Sequence, residues 1–210
     1  MPTNVFRAVI GAFMNGEIDW DSNDIKVMLL GAGYTPNFDT HDYLDDIVAN
    51  EIAAGGGYSA GGSALAGKAR TFTVANSWAN AWAAGTTYEA GYIVRPTTGN
   101  GFVYMAQGAG ASHAVTEPTW PTTIGDEVVD NGVTWTCVGK GVLALTATSP
   151  VTWATSNITA RYAVIYNNTP GTNGTNNVIL CIDKGSAITS TDSDFKVNLP
   201  AQGCLLFAIP

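Results

Sequence analysis

The sequence has little charge. Asp, Glu, Lys and Arg make up 12% of its 210 residues, about half the share in an ordinary soluble domain. Ordering a Lys or Glu side chain at an interface costs about 1.5–2 kcal/mol, so a surface built instead from Gly, Ser, Thr, Asn and Ala suits packing against neighbours. The charge that exists is mostly negative, with a formal net charge of −8. A phosphate backbone would be repelled, which excludes nucleic acid as a partner. No apolar run approaches the roughly 18 residues of a membrane span, so no membrane partner is expected. The opening MPTNVFRAVIGAFMNG has too short an apolar core for a signal peptide and lacks a small-residue cleavage site. Synthesis in a cytoplasm is the expectation.

Cysteine is also scarce. Cys137, Cys181 and Cys204 are widely spaced and form no CxxC pair, which excludes a disulfide framework and a zinc site. Each lies in an apolar run (TWTCVG, VILCID, GCLLF) and reads as a buried free thiol. Motifs of catalysis and cofactor binding are missing too: there is no GxSxG elbow, no GxxxxGK and no GxGxxG opening a helix. No cofactor and no enzymatic activity are expected. DWDSND begins like a calcium loop, but Asp24 stands where that loop needs Gly and Leu30 where it needs Glu; it reads as a helix-to-strand turn. DSD at 192–194 reads as a hairpin turn. His41 and His113 stand apart, without a metal-ligand spacing. A glycosidase needs two carboxylates across a cleft, and the small segment carrying Glu117, Asp126, Glu127 and Asp130 offers little room for one.

One cluster of charge is present. Glu17, Asp19, Asp21, Asp24, Asp39, Asp42, Asp45, Asp46 and Glu51 face a single Lys26. This is a solvated acidic face or a surface for a basic partner.

The pattern along the chain is mainly β. Asn4 is placed to cap a helix in which Val5, Phe6, Val9, Ile10 and Phe13 recur at helical spacing, and Gly16 ends it. IDW and DIKVMLL read as strands. TPNFDTHDYLDDI reads as a loop with one short helix capped by Thr40, and ALAGKARTFTV as a strand. From Val142 onward VLALTA, VTWAT, ITARYAVIY, NVILCID, DFKVNL and CLLFAI follow as strands, with TPGTNGTNN as a hairpin loop. Such spacing predicts an antiparallel sandwich or barrel, of which a β-sandwich with an N-terminal helix is the expectation. Between Asn76 and Gly141 the texture changes. This block holds Trp78, Trp82, Trp120 and Trp135 with several Tyr and Phe. It reads as a small all-β module (76–141) inserted into a discontinuous host domain (1–75 and 142–210).

The host segments GEIDWDSNDIKVMLLGAGYTPNFDTHDYLDDIVANEI, GYSAGGSALAGKARTFTV and VTWATSNITARYAVIYNNTPG resemble a family of tailed-bacteriophage virion structural proteins. Family members run straight from the GYTAGG-like strand to the ITARY-like strand, so the module is a departure. The module is similar to small aromatic carbohydrate-binding units of the chitin-binding type. The resemblance rests on Trp82, Gly85, Tyr88, Gly91, Val94, Tyr104, Gly108, Glu117, Pro118, Trp120, Pro121, Asp130, Gly132, Val133 and Trp135. The resemblance of the host segments implies a virion protein without chemistry; a capsid decoration protein on the major capsid protein is the expectation, with a tail-fibre or tail-associated adhesin as the alternative. A homotrimer displaying the module outward is the expected assembly. A free carbohydrate-binding module would call for a secretory signal or a linker to a catalytic domain.

Two tryptophans carry the functional question. Trp135 alternates with Val133 and Cys137 on one strand face and reads as core. Trp120 is pinned between Pro118 and Pro121 in EPTWP, and the residues leave both a core plug and a presented ring open. Trp120, Tyr104 and Trp82 form the candidate platform for bacterial surface polysaccharide.

Overall fold

Apolar runs become strands along almost the whole chain, and the fold is mainly β with one α-helix and several antiparallel sheets. The computed structural model describes residues 3–210. The first elements are β1 (Thr3–Val5), helix α1 (Ala8–Met14), β2 (Ile25–Leu30), β3 (Ser63–Ala64) and β4 (Ala69–Val74). Next come β5 (Thr87–Tyr88), β6 (Ile93–Val94), β7 (Val103–Ala106), β8 (Gly110–Ala111), β9 (Glu127–Asp130) and β10 (Val133–Gly139). The remaining strands are β11 (Gly141–Thr146), β12 (Val151–Ser156), β13 (Thr159–Asn167), β14 (Val178–Thr189), β15 (Ser193–Val197) and β16 (Leu205–Ile209).

The chain resolves into two compact units, one of Met1–Ala69 with Thr146–Cys204 and the other of Arg70–Leu145 with Leu205–Pro210. The first is organised by a five-stranded sheet in the order β1-β14-β13-β2-β3, paired antiparallel throughout. Its central strands are buried on both faces, which is why KVMLL, YAVIY and VILCI read as continuous apolar runs rather than alternating ones. Met28, Leu30, Tyr162, Val164 and Tyr166 pack on one side with Phe6, Tyr34, Leu44 and Ile47. The odd-numbered Val27, Leu29, Ala163 and Ile165 are equally buried. A bulge between Ile165 and Tyr166 shifts the register on β14, so Cys181 joins the same cluster as the even-numbered Val178. At Gly62, φ is +73° and a Cβ would collide with the Val27 carbonyl. Glycine there lets the chain enter β3 hard against β2.

Local readings fail where a tertiary partner takes the backbone. Asn4 does not cap a helix; it pairs with Cys181 as part of β1, and α1 begins only at Ala8. The edge of β14 offers residues 3–5 ladder hydrogen bonds that a short helix could not match. Gly16 does end the helix region, with φ +73°. IDW forms no strand, because Ile18 and Trp20 are single plugs, buried with the Trp20 indole N–H donating to the Thr146 carbonyl at 3.0 Å. Thr40 caps nothing. The Asp46 carboxylate accepts from the backbone N–H groups of Asp42 and Tyr43 and opens a one-turn 3-10 helix at Leu44–Asp46, followed by another at Val48–Asn50. DWDSND is the turn between α1 and β2, its carboxylate and amide bonded to its own backbone: Asp21 N–H donates to Asp19 and Asp19 N–H to Asn23.

The second unit is wider than residues 76–141. It also takes in most of β4 and β11 together with β16, a three-stranded sheet in the order β16-β11-β4. Val142 and Ala144 of β11 pack with Trp78, Ile93 and Val103. The periodicity of FTV and LALTA shows strands, but not which core they serve.

Candidate functional site

The second unit is assembled around β10, whose residues alternate buried and half-buried from Val133 to Gly139. The sheet order β6-β7-β10-β9 places β10 inside, with Trp135 opposite Ala106 on β7 and Val128 on β9. Trp135 is fully buried, as its alternation predicts. Tyr88 meets it edge-on at 4.9 Å between centroids, and Trp120 meets it at 5.9 Å and 62°. These are the offset geometries that ring quadrupoles favour.

A buried carboxylate pins this cluster. Asp130 is 3% exposed; its Oδ2 accepts from the indole N–H of Trp82 at 2.7 Å and of Trp135 at 3.1 Å. Its Oδ1 accepts from the His113 backbone N–H at 2.8 Å. Burying an unpaired carboxylate would be prohibitive, and three donors replace its lost water. At the tight crossing nearby, a Cβ on Gly110 would collide with the Gly132 carbonyl.

Of the three rings expected at a sugar platform, two are corrected by burial. Tyr104 is fully buried; its hydroxyl donates to the Pro121 carbonyl and accepts from the Asn100 amide, both at 2.7 Å. Trp82 is 6% exposed with its N–H taken by Asp130. Both rings serve the core because a unit of this size has few other large apolar groups to bury. Trp120 is half-buried. It stacks on Tyr104 with centroids 4.3 Å apart and keeps part of its ring at the surface. Its indole N–H donates to Glu117 Oε1 at 2.8 Å, and the same oxygen accepts from the Thr97 backbone N–H at 2.8 Å. Glu117 Oε2 takes the Thr97 hydroxyl. The loop between Pro118 and Pro121 is thus braced from both sides, and the ring is held in one orientation. Half-buried Phe102 packs on the same cluster, with the Lys140 ammonium 5.9 Å from its centroid.

The braces were the part of the site that sequence reading missed. Glu117 and Asp130 appear in the sequence reading among the residues that match the carbohydrate-binding units, but with no role, and the clue to that role is the Trp three residues after one and five after the other. Both are committed to hydrogen bonds with ring N–H groups, so neither is placed as an acid or base facing a cleft. His113 Nδ1 accepts from the Thr116 backbone N–H at 2.9 Å, and His41 Nδ1 shares a hydrogen bond with the Tyr34 hydroxyl at 2.9 Å. Among the described residues no three His, Cys, Asp or Glu side chains group to hold a metal. All three cysteines are free and buried, and burial pushes the Cys181 and Cys204 thiols up to about 12. No protein-family model, curated protein or solved structure matches the chain. What the site offers chemically is the accessible part of Trp120, its N–H held by Glu117 and its ring packed on Tyr104.

Proposed function

We propose that the chain is a virion structural protein of a tailed bacteriophage, a capsid decoration protein without catalytic activity. In this reading the unit built on the five-stranded sheet attaches to the major capsid protein. The aromatic unit offers the open part of Trp120 to bacterial surface polysaccharide, whose sugar rings stack their C–H faces on such surfaces. One observation carries the glycan half of the reading. Five of the six tryptophans are at most 7% exposed, while Trp120 alone is half-buried, with its indole N–H held by Glu117. The virion half is supported by the resemblance of GEIDWDSNDIKVMLL and ITARYAVIYNNTPG to phage structural proteins and by the scarcity of surface charge.

Antibody labelling of intact particles tests the location. Signal on heads supports decoration, signal on tails transfers the protein to the adhesin class, and particles without signal overturn the virion reading. Retention of the purified chain on immobilised host polysaccharide, lost on Trp120→Ala without loss of folding, tests the surface itself.

A further inference from the structure

We propose that Asn173 is a site of spontaneous covalent modification: in the hairpin loop between β13 and β14 it cyclises with the backbone nitrogen of Gly174, loses ammonia and becomes aspartate or isoaspartate. The inference goes beyond the proposed function and does not depend on it.

The chain contains four Asn–Gly pairs, at 15–16, 100–101, 131–132 and 173–174. A glycine after asparagine leaves the backbone nitrogen unshielded by a β-carbon and able to swing towards the side-chain amide. Three of the pairs are tied at both reacting groups. Asn15 donates its amide to Glu17 at 3.1 Å, and the Gly16 N–H donates to the Phe13 carbonyl. Asn100 donates to the Tyr104 hydroxyl and accepts from the Phe102 N–H, while the Gly101 N–H donates to the Asn76 side chain at 2.8 Å. The Asn131 amide and the Gly132 N–H both donate to the Ala111 carbonyl. The fourth pair differs. Among the described residues the Asn173 side chain and the Gly174 N–H have no hydrogen-bond partner, and both residues are exposed. They lie in the middle of a turn in which the Thr172 carbonyl accepts from the N–H groups of Thr175 and Asn176, both at 3.0 Å. Exposed loop turns open at little cost, so the backbone angles needed for ring closure are within reach there.

The Gly174 nitrogen attacks Asn173 Cγ. A C–N bond forms, the Cγ–Nδ2 bond breaks, and the side-chain nitrogen leaves as ammonia with the proton of the Gly174 N–H. Water then opens the cyclic imide at either carbonyl. One opening gives aspartate; the other gives isoaspartate, with the main chain routed through the former side chain. Water is taken up and ammonia released, without oxidant or cofactor. Both products disturb the same contact. The Asp45 N–H donates to the Asn173 carbonyl at 3.2 Å, and the Leu44 N–H to the Asn176 carbonyl at 2.9 Å. The Asp45 carboxylate is close as well, since a Cβ at Gly174 would lie 3.4 Å from its Oδ2. A new carboxylate at 173 adds like charge beside it, and isoaspartate lengthens the main chain by a methylene ahead of the Asn176 carbonyl. Modification therefore loosens the loop from the 3-10 turn at Leu44–Asp46.

The test is peptide mass mapping of the full chain held in warm, mildly alkaline buffer. The tryptic peptide 162–184 should be the first to gain the mass difference between an amide and an acid. Tandem fragmentation should place the change at Asn173, and isoaspartyl methyltransferase should label the isoaspartate product. Peptides carrying Asn15, Asn100 and Asn131 should lag by at least an order of magnitude. Gly174→Ala should slow conversion at Asn173 by a similar factor. That variant is expected to fold, because the added Cβ meets the Asp45 carboxylate at ordinary contact distance. In converted protein the Leu44 and Asp45 amides should exchange hydrogen faster than before. Conversion of Asn15, Asn100 or Asn131 as fast as Asn173 overturns the proposal. So does an Asn173 that stays intact in the folded chain while the urea-unfolded chain converts it, or a rate that Gly174→Ala leaves unchanged. Unaltered exchange at Leu44 and Asp45 overturns the loosening of the loop.

Discussion

Tyr104 and Trp120 lie with ring centroids 4.3 Å apart and planes tilted by 39°, yet only the second ring reaches solvent. One ring is the floor of the site and the other its surface. The two cannot be exchanged, because the Tyr104 hydroxyl is bonded inward to Pro121 while the Trp120 N–H is bonded to Glu117 in the surface brace.

Truncating the rings should separate packing from recognition. Trp135→Ala removes a fully buried ring and is expected to cost about 3–5 kcal/mol. Trp120→Ala should cost less, since part of Trp120 is already in water. Urea unfolding curves of the two variants give both numbers. Equal losses would show that Trp120 is core.

Asp130→Asn should be more damaging than its near-identical shape suggests. The carboxylate accepts from Trp82, Trp135 and His113, whereas an amide has one oxygen and would turn an NH₂ group towards the remaining donors. Leaving buried donors unsatisfied costs about 1–3 kcal/mol each. A loss of about 3 kcal/mol is expected, together with a red-shifted tryptophan emission as the cluster opens.

High pH should weaken the first unit. Burial pushes the Tyr166 hydroxyl up to about 12, with Glu51 and Asp24 adding to the effect. Burial likewise raises Tyr58 far above its ordinary range. A tyrosine in the unfolded chain titrates near 10. The folded state holds these protons more tightly, so the stability they contribute is complete below about pH 10 and is lost as pH rises towards 12. The urea midpoint should fall across that window, and less steeply in Tyr166→Phe. At the acid end the sign reverses. The Arg161 hydrogen bonds hold Asp183 below the usual carboxylate range, so its contribution is present above about pH 4 and disappears as pH falls further.

Excision should follow the packing rather than the sequence texture. Removing residues 77–140 leaves Val142, Ala144 and Leu206 without Trp78, Ile93 and Val103. Removing 70–145 together with 205–210 leaves no such remnant. The second variant is expected to melt cooperatively and show little aggregation, and the first to melt lower and precipitate. Differential scanning calorimetry with light scattering distinguishes them.

Strand positions were legible because their signals are local. DIKVMLL, ITARYAVIY and NVILCID have the composition of buried strands, and TPGTNGTNN is hairpin chemistry; β2, β13 and β14 lie there. The burial of Trp135 was legible from alternation with Val133 and Cys137. What failed depended on distant partners. Asn4 would cap a helix in isolation, but β14 recruits it as a strand. Tyr104 and Trp82 have the residue types of a sugar platform, yet their exposure is decided by Pro121 and Asp130, residues 17 and 48 positions away. No periodicity encodes such pairings. The extent of the second unit failed for the same reason, since β16 joins β11 across some sixty residues of chain.

The interleaving of the two units has a topological consequence. A simple insertion would tie guest to host by two peptide connections, but here the chain passes from one unit to the other at 69/70, 145/146 and 204/205. Severing any one of these leaves the other two intact. A protease that nicks a single crossover therefore yields fragments on a denaturing gel while the native protein keeps its mass. The covalent design makes loss of the aromatic unit a multiple-hit event.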